Sequence, residues 1–268
     1  MDKIIWLNEK IYSHDTVVNR IKFVEKNMDS LLPLYPKELA KLSIYAKENG
    51  LPLYEMICLR NTIRIQKEID LSKVFHRYVD KIKKLFTELV RDPKQIKQLV
   101  KNFFRQTKMP VHFVLKTISK MNEFNTLSND HRKYFNQIYN DSLEMEHEIR
   151  ERSILFEHTL EDFFKINDIS FRTESDIKRD KDYLVTPDIL FDKPITLVLD
   201  GVEYLIRWID AKNYTLTNTP FIIKSLRKQG EKYNNIFGLG AFVFHYGFDS
   251  TIKLPNVLVL DGSILDQQ

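Results

Sequence analysis

The chain has 268 residues, 43% hydrophobic and 29% charged. That composition excludes a disordered chain, and no apolar run approaches the ~18 residues of a membrane span. The lone cysteine, Cys58, excludes an intrachain disulfide and a cysteine-rich zinc site, and Met1–Trp6 carries no leader pattern, so an intracellular, reducing compartment is expected.

The net charge of +4 is unevenly distributed. Residues 1–120 carry 24 Lys and Arg against 13 Asp and Glu, whereas residues 121–268 carry 17 against 24. A basic half joined to an acidic half predicts a polyanion-binding part and a second part with another task.

In chain order, helical periodicity runs over 14–29, 36–49, 52–68 and 71–90. The second of these has Pro36 in its first turn, a stripe of Leu39, Leu42 and Tyr45, and Gly50 as a stop. Asp92-Pro93 reads as a helix start, followed by an apolar face of Ile96, Leu99, Val100, Phe103 and Phe104. A break at Thr107–Pro110 leads to a second helix with Val111, Val114, Leu115, Ile118 and Met121. Residues 81–120 hold 11 basic and 2 acidic residues. A strongly basic helix–turn–helix-like end is therefore expected to contact nucleic-acid phosphates through Lys97, Lys101, Arg105 and Lys108. The Phe103–Phe104 pair reads as core.

Residues 122–146 are polar and mark a boundary. The expected division is a basic helical domain over 1–125, a connection over 126–146 and a second domain over 147–268. From 168 onward the pattern changes after a helix at 147–166. Short strands read at 169–172 and at 188–199, the latter interrupted by Pro194. The tight turn Asp200-Gly201 leads to an alternating strand, 202–212, with Val202, Tyr204, Ile206 and Trp208 on one row. A helix at 220–235 and strands at 240–247 and 256–260 follow. The fold class is α+β, a helical N-terminal domain and then a mixed sheet flanked by helices.

The informative chemistry lies in Thr186-Pro187-Asp188 and Ile209-Asp210-Ala211-Lys212. The turn at 200–201 folds these strands together, so Asp188 and Asp210 meet at one end of the hairpin. Two carboxylates bind a hard divalent cation through oxygen, the cation activates water and offsets phosphate charge, and the lysine holds water or a phosphate oxygen as a point charge. Glu157, on the row of Leu160 and Phe164, offers a third carboxylate. Gln229 and Tyr233, one helical turn apart beside Lys224, Arg227, Lys228 and Lys232, offer supporting polar groups. No phosphate-cradling Gly-rich loop, dinucleotide fingerprint or paired-histidine metal motif is present; Cys58 reads as core, His147 and His158 as surface, and His245 as packed within a strand.

Phe156-Glu157, Thr186-Pro187-Asp188, Trp208-Ile209-Asp210-Ala211-Lys212, Gln229 and Tyr246-Gly247-Phe248 together resemble the C-terminal domain of the codanin-interacting nuclease family, whose hallmark is the Thr-Pro-Asp motif. That family belongs to the PD-(D/E)xK superfamily and is similar to archaeal Holliday-junction resolvases. The resemblance covers about 147–262 by motif and 1–125 by layout only. One departure is Asp210-Ala211-Lys212 where members tend to have Glu-x-Lys. The resemblance implies a restriction-endonuclease-like domain in which Glu157, Asp188 and Asp210 ligate Mg²⁺ (or Mn²⁺), Lys212 is catalytic and Gln229 supports them. It implies a metal-dependent nuclease acting on DNA, branched or structured DNA included, in nucleus and cytoplasm with a codanin-type protein partner. The alternative is a nuclease-fold adaptor working through that partner.

Overall fold

The computed structural model describes residues 2–31, 34–91, 95–141, 144–181 and 183–267. It opens with β1 (Lys3–Trp6), β2 (Ile11–Tyr12), α1 (His14–Asn27), α2 (Pro36–Glu48), α3 (Leu53–Ser72), α4 (Val79–Arg91), α5 (Ile96–Thr107), α6 (Val111–Ser119) and α7 (Asn129–Asp141). Next come α8 (Glu144–Ile166), β3 (Phe171–Thr173), α9 (Glu174–Asp180), β4 (Ile189–Leu199) and β5 (Val202–Lys212). The chain closes with α10 (Pro220–Phe237), β6 (Gly240–Phe244), β7 (Phe248–Asp249) and β8 (Leu258–Asp261). The α+β class expected from the sequence is observed.

Two compact units are formed, residues 24–45 with 60–149 and residues 1–23 with 46–59 and 150–268. The first is helical. Its core gathers Ile82, Leu85, Phe86 and Leu89 of α4, Ile96, Val100 and Phe103 of α5 and Val114, Leu115 and Ile118 of α6. Three-to-four spacing puts these residues on one face of each helix, which leaves the lysines outside. Lys108, in the left-handed region at φ 57°, caps α5 and donates its backbone N–H to the Phe104 carbonyl. The helix start expected at Asp92-Pro93 lies outside the described residues.

The second unit carries a sheet in the order β1-β4-β5-β6-β8, with β3 also on β4. β4 and β5 form an antiparallel hairpin, and β6 and β8 add to it in parallel. Asp200 (φ 51°) and Gly201 (φ 78°) make its tight turn, both in the left-handed region that a two-residue hairpin loop requires. One face packs α8 through Phe156, Leu160 and Phe164 against Ile189, Ile209 and Val243. The other packs α10 through Leu226 and Tyr233 against Leu190, Trp208 and Phe242.

The first residues were expected in the basic helical domain, yet β1 pairs in parallel with β4, Lys3 opposite Thr196 and Trp6 opposite Leu199. Ile4 and Trp6 are buried beneath α8, and the Trp6 indole N–H donates to the Asp261 carbonyl at 2.9 Å. A four-residue strand whose partner lies far along the chain leaves no local signal. Helices α7 and α8 run through the connection expected at 126–146, and the sheet unit resumes at residue 150, beside the expected 147.

Burial of Trp6 supplies a direct check. Trp6→Ala removes a large core ring that meets Phe163 edge-on at 5.6 Å. It is expected to destabilise the protein by about 3–5 kcal/mol, read from urea unfolding. An effect below about 1 kcal/mol would mean that β1 is not part of the sheet.

Candidate functional site

Strand register assembles the site. Ile189 pairs with Ile209, so Asp188, one residue earlier, falls opposite Asp210. Both share the α10 face with Leu190 and Trp208. Lys212, two residues beyond Asp210, falls on that face as well. Asp210 is buried. Its Oδ1 accepts from the Lys212 ammonium, and its Oδ2 accepts from the Gln229 amide at 2.8 Å. Gln229 also donates to the Tyr233 hydroxyl at 2.9 Å, and that hydroxyl donates to the Thr186 carbonyl at 3.1 Å. Asp188 Oδ2 accepts the Ala211 backbone N–H at 2.7 Å. Four of the five predicted residues are thus brought together.

The fifth, Glu157, stands on α8, which packs the opposite face of the sheet. It senses Asp210 and Lys212 through space. Among the described residues no three His, Cys, Asp or Glu side chains gather closely enough to form a ligand cage. The tight convergence expected of Glu157, Asp188 and Asp210 is therefore incomplete. Asp210 has turned its oxygens to Lys212 and Gln229, and bare carboxylates repel one another.

The electrostatics show that surplus of negative charge. Burial, then the neighbouring Asp210, pushes Asp188 up to about 8, against the pull of Lys212 and the Ala211 N–H. Burial, then Glu174 and Asp210, raises Glu157. Burial works against the Lys212 ammonium, but Asp210, Tyr214 and Asp188 together outweigh it and the pKa is raised. Lys212 Nζ also stands 5.2 Å from the centre of the Phe242 ring. The donor set fits a hard divalent cation, with all-oxygen carboxylate ligands and excess negative charge in a partly dry site.

Sequence reasoning missed one element that shapes the site. Helix α9 was not expected, although Thr173 and Asp176 form the capping box that starts it. Glu174, in its first turn, accepts from the Thr186 hydroxyl at 3.0 Å and its backbone N–H donates to the Asp188 carbonyl at 3.2 Å. α9 therefore buttresses the Thr-Pro-Asp segment, and a Thr-x-x-Asp pattern was the available signal.

Other expectations are met outside the site. Cys58 is buried and its thiol is pushed up to about 12 by burial, so it is no nucleophile. The His245 ring stacks on Phe156 at 4.2 Å and bonds Asn213 at 2.8 Å, although it follows β6 rather than lying within a strand. In the helical unit Phe103 and Phe104 are buried, while Lys101, Arg105 and Lys108 are exposed on α5 and its cap. Lys108 lies 3.8 Å from Asp29 and 5.3 Å from the centre of the Phe104 ring. The side chain of Lys97 lies outside the described residues. Lys81, Lys84, Asn102 and Gln106 line a groove of about 380 Å³ between α4 and α5.

Two isosteric variants separate the roles of the aspartates. Between the unfolded carboxylate pKa of about 4 and the folded value of about 8, native Asp188 keeps a proton that the unfolded chain has lost. It therefore lowers stability progressively as pH rises through that window. Asp188→Asn is expected to raise the melting temperature at pH 8 in EDTA, with the gain gone near pH 4. Asp210→Asn leaves the buried Lys212 without its counter-charge and is expected to lose about 3 kcal/mol. This differs from the near-neutral exchange that two repelling acids alone suggest. Thermal melts of both variants against pH check the pair, and equal shifts would show that Asp210 does not hold Lys212.

Residues 123–263 match the family model described as "Protein of unknown function TPD sequence-motif". The chain is 39% identical over 264 residues to "Uncharacterized protein L539" of Acanthamoeba polyphaga mimivirus, covering 98% of this chain and 96% of that protein. No solved structure matches. Among the described residues no helix is long and apolar enough to cross a membrane. With the match spanning Glu157, Thr186-Pro187-Asp188, Asp210, Lys212 and Gln229, the chain belongs to the TPD sequence-motif family.

Proposed function

We propose that this protein is a metal-dependent nuclease of the PD-(D/E)xK type that hydrolyses phosphodiester bonds in DNA, branched or structured DNA included. One observation carries the reading. Asp188 and Asp210 face each other across a hairpin with Lys212 and Gln229 on the same face. An acid such as Asp188, whose affinity for a proton is raised by burial beside a second carboxylate, is a poor stabilising device unless a cation uses it.

Asp188 and Asp210 would hold Mg²⁺ (or Mn²⁺), with Glu157 completing the set from α8. The bound ion supplies a water of lowered pKa and offsets phosphate charge. Asp210 orients the Lys212 ammonium. Lys212, a cation at neutral pH, donates to a phosphate oxygen or to the attacking water and opposes the charge developing in the transition state. Gln229, fixed between Asp210 and Tyr233, keeps the Asp210 carboxylate from rotating. The exposed Lys101, Arg105 and Lys108, with Lys97 of the same basic run, hold the sugar-phosphate backbone without reading sequence. A codanin-type protein partner and residence in nucleus and cytoplasm belong to the same reading, on the strength of the family resemblance.

Cleavage of single-stranded, duplex, flap and four-way DNA under metal titration tests this. Activity is expected only with Mg²⁺ or Mn²⁺, with a loss of about 10²–10³-fold in Lys212→Ala and no measurable cleavage by Asp210→Asn in its folded fraction. Activity that survives EDTA, or equal activity in both variants, rejects the nuclease reading and leaves the adaptor. DNA binding is expected to weaken with salt at a log–log slope of about −0.9 per phosphate contacted. Lys101→Glu with Arg105→Glu is expected to make that slope shallower for all sequences alike, by gel shift at several salt concentrations. A flat salt dependence removes the helical unit from the interface.

A further inference from the structure

We propose that Leu184 is a wedge that enters the base stack of duplex DNA next to the scissile phosphate. The inference rests on the nuclease reading above for the position of the phosphate, and on a separate set of contacts for the wedge itself.

The segment Tyr183–Thr186 leads directly into Pro187 and Asp188. It runs along the second half of α10 and is fastened to it on both sides of Leu184. Before Leu184, the Tyr183 ring meets the Phe237 ring edge-on at 4.8 Å, and the Arg172 guanidinium lies 5.7 Å over the Tyr183 ring. After it, Val185 packs into the α10 core, and the Thr186 carbonyl and hydroxyl are held by Tyr233 and Glu174. Between these anchors the Leu184 side chain is fully exposed, at 102%. A lone surface leucine needs no explanation on a loose loop. Here the neighbours on either side have found apolar or hydrogen-bonded positions, and the same fastenings hold this one apolar side chain out in water.

The surroundings suit a nucleic-acid duplex. Residues 121–268 are net acidic, yet α10 carries Lys224, Arg227, Lys228 and Lys232 against the single acid Glu231. Lys232 follows Gln229 by three residues and so stands one helical turn from the site along the same helix side. Ile236, a turn further on and 47% exposed, continues the apolar character beside Phe237. Apolar side chains that part a base step do so next to cations that hold the phosphates on either side. Leu184 precedes Asp188 by four residues, a reach of at most about 14 Å. That is about four base steps at 3.4 Å each.

The test uses the full-length protein and a duplex carrying 2-aminopurine at successive positions around the cleaved bond, with the single strand as comparison. Binding in Ca²⁺ is expected to raise 2-aminopurine emission within about four nucleotides of that bond. Leu184→Ala is expected to abolish the rise and to lower the ratio of duplex to single-strand cleavage by about tenfold. Leu184→Met is expected to restore both. Since the side chain is exposed, thermal melts of the two variants are expected to match the parent. Emission that stays quenched with the parent protein, or that rises equally with Leu184→Ala, overturns the wedge. Emission that rises through Leu184 without any metal-dependent cleavage leaves the wedge standing and rejects the nuclease reading instead.

Discussion

The site depends on one irregularity in the β4–β5 ladder. Leu190 opposes Trp208, but the next aligned pair is Ile195 with Ile206, a slip of three residues. Pro194 lies inside the slip and has no N–H to give to a ladder. Because side chains alternate with a period of two, an odd slip exchanges the faces of everything beyond it. Tyr204 and Ile206 pack under α8, whereas Trp208 packs under α10 and carries Asp210 and Lys212 to its face. With unbroken alternation, the Asp210 carboxylate and the Lys212 ammonium would enter the apolar layer beneath α8. Without the slip, Asp188 would face Asn213 instead of an acid. The bulge therefore chooses both the partner and the face.

Once the acids face each other, their mutual repulsion shapes what surrounds them. Among the described residues, Lys212 is the cation that strand alternation places beside them, and it bonds Asp210. Asp188 is left with the Ala211 N–H, which cannot neutralise it, and burial and the facing Asp210 raise its pKa. The Gln229–Tyr233–Thr186 chain spans from Asp210 back to the Thr-Pro-Asp segment, so both acids are fixed through one helix. Gly240 contributes to that rigidity from beneath. A Cβ there would overlap the Trp208 indole, so β6 can lie against β5 only with glycine at this position. Trp208 in turn donates to the Gly238 carbonyl at 3.0 Å, which ties the end of α10 to the strand bearing Asp210.

The carboxylate–lysine cluster was legible because all its parts are local. Two strands, a two-residue turn and an Asp-x-Lys spacing place Asp188, Asp210 and Lys212 together without any knowledge of distant contacts. Gln229 was legible only as a polar residue on the next helix. What stayed hidden was long-range or non-periodic. β1 has four residues, and its pairing is fixed by Ile4 and Trp6 finding a core built from the other end of the chain. The interruption at Pro194 was visible, but not that it would break the row Tyr204, Ile206, Trp208 on the partner strand. Helix α9 was hidden by its seven residues, too short for periodicity to register.

The same register argument explains why the third acid stands apart. α8 packs on the Ile209 face through Phe156, Leu160 and Phe164, and Glu157 is tied by helical spacing to that row. Its carboxylate is coupled to Asp210 through space, after burial and Glu174. A two-acid face with a third acid across the sheet is a site in which charge, not contact, couples the members. The arrangement stores repulsion without bringing the carboxylates into a closed cage. On the proposed reading, Asp188 and Asp210 would hold a divalent cation with Glu157 nearby, and the ion would offset the charges of all three. In this structure the buried Lys212 ammonium is held by Asp210, so the contact that neutralises the lysine is also the one that keeps it on the face of the two aspartates.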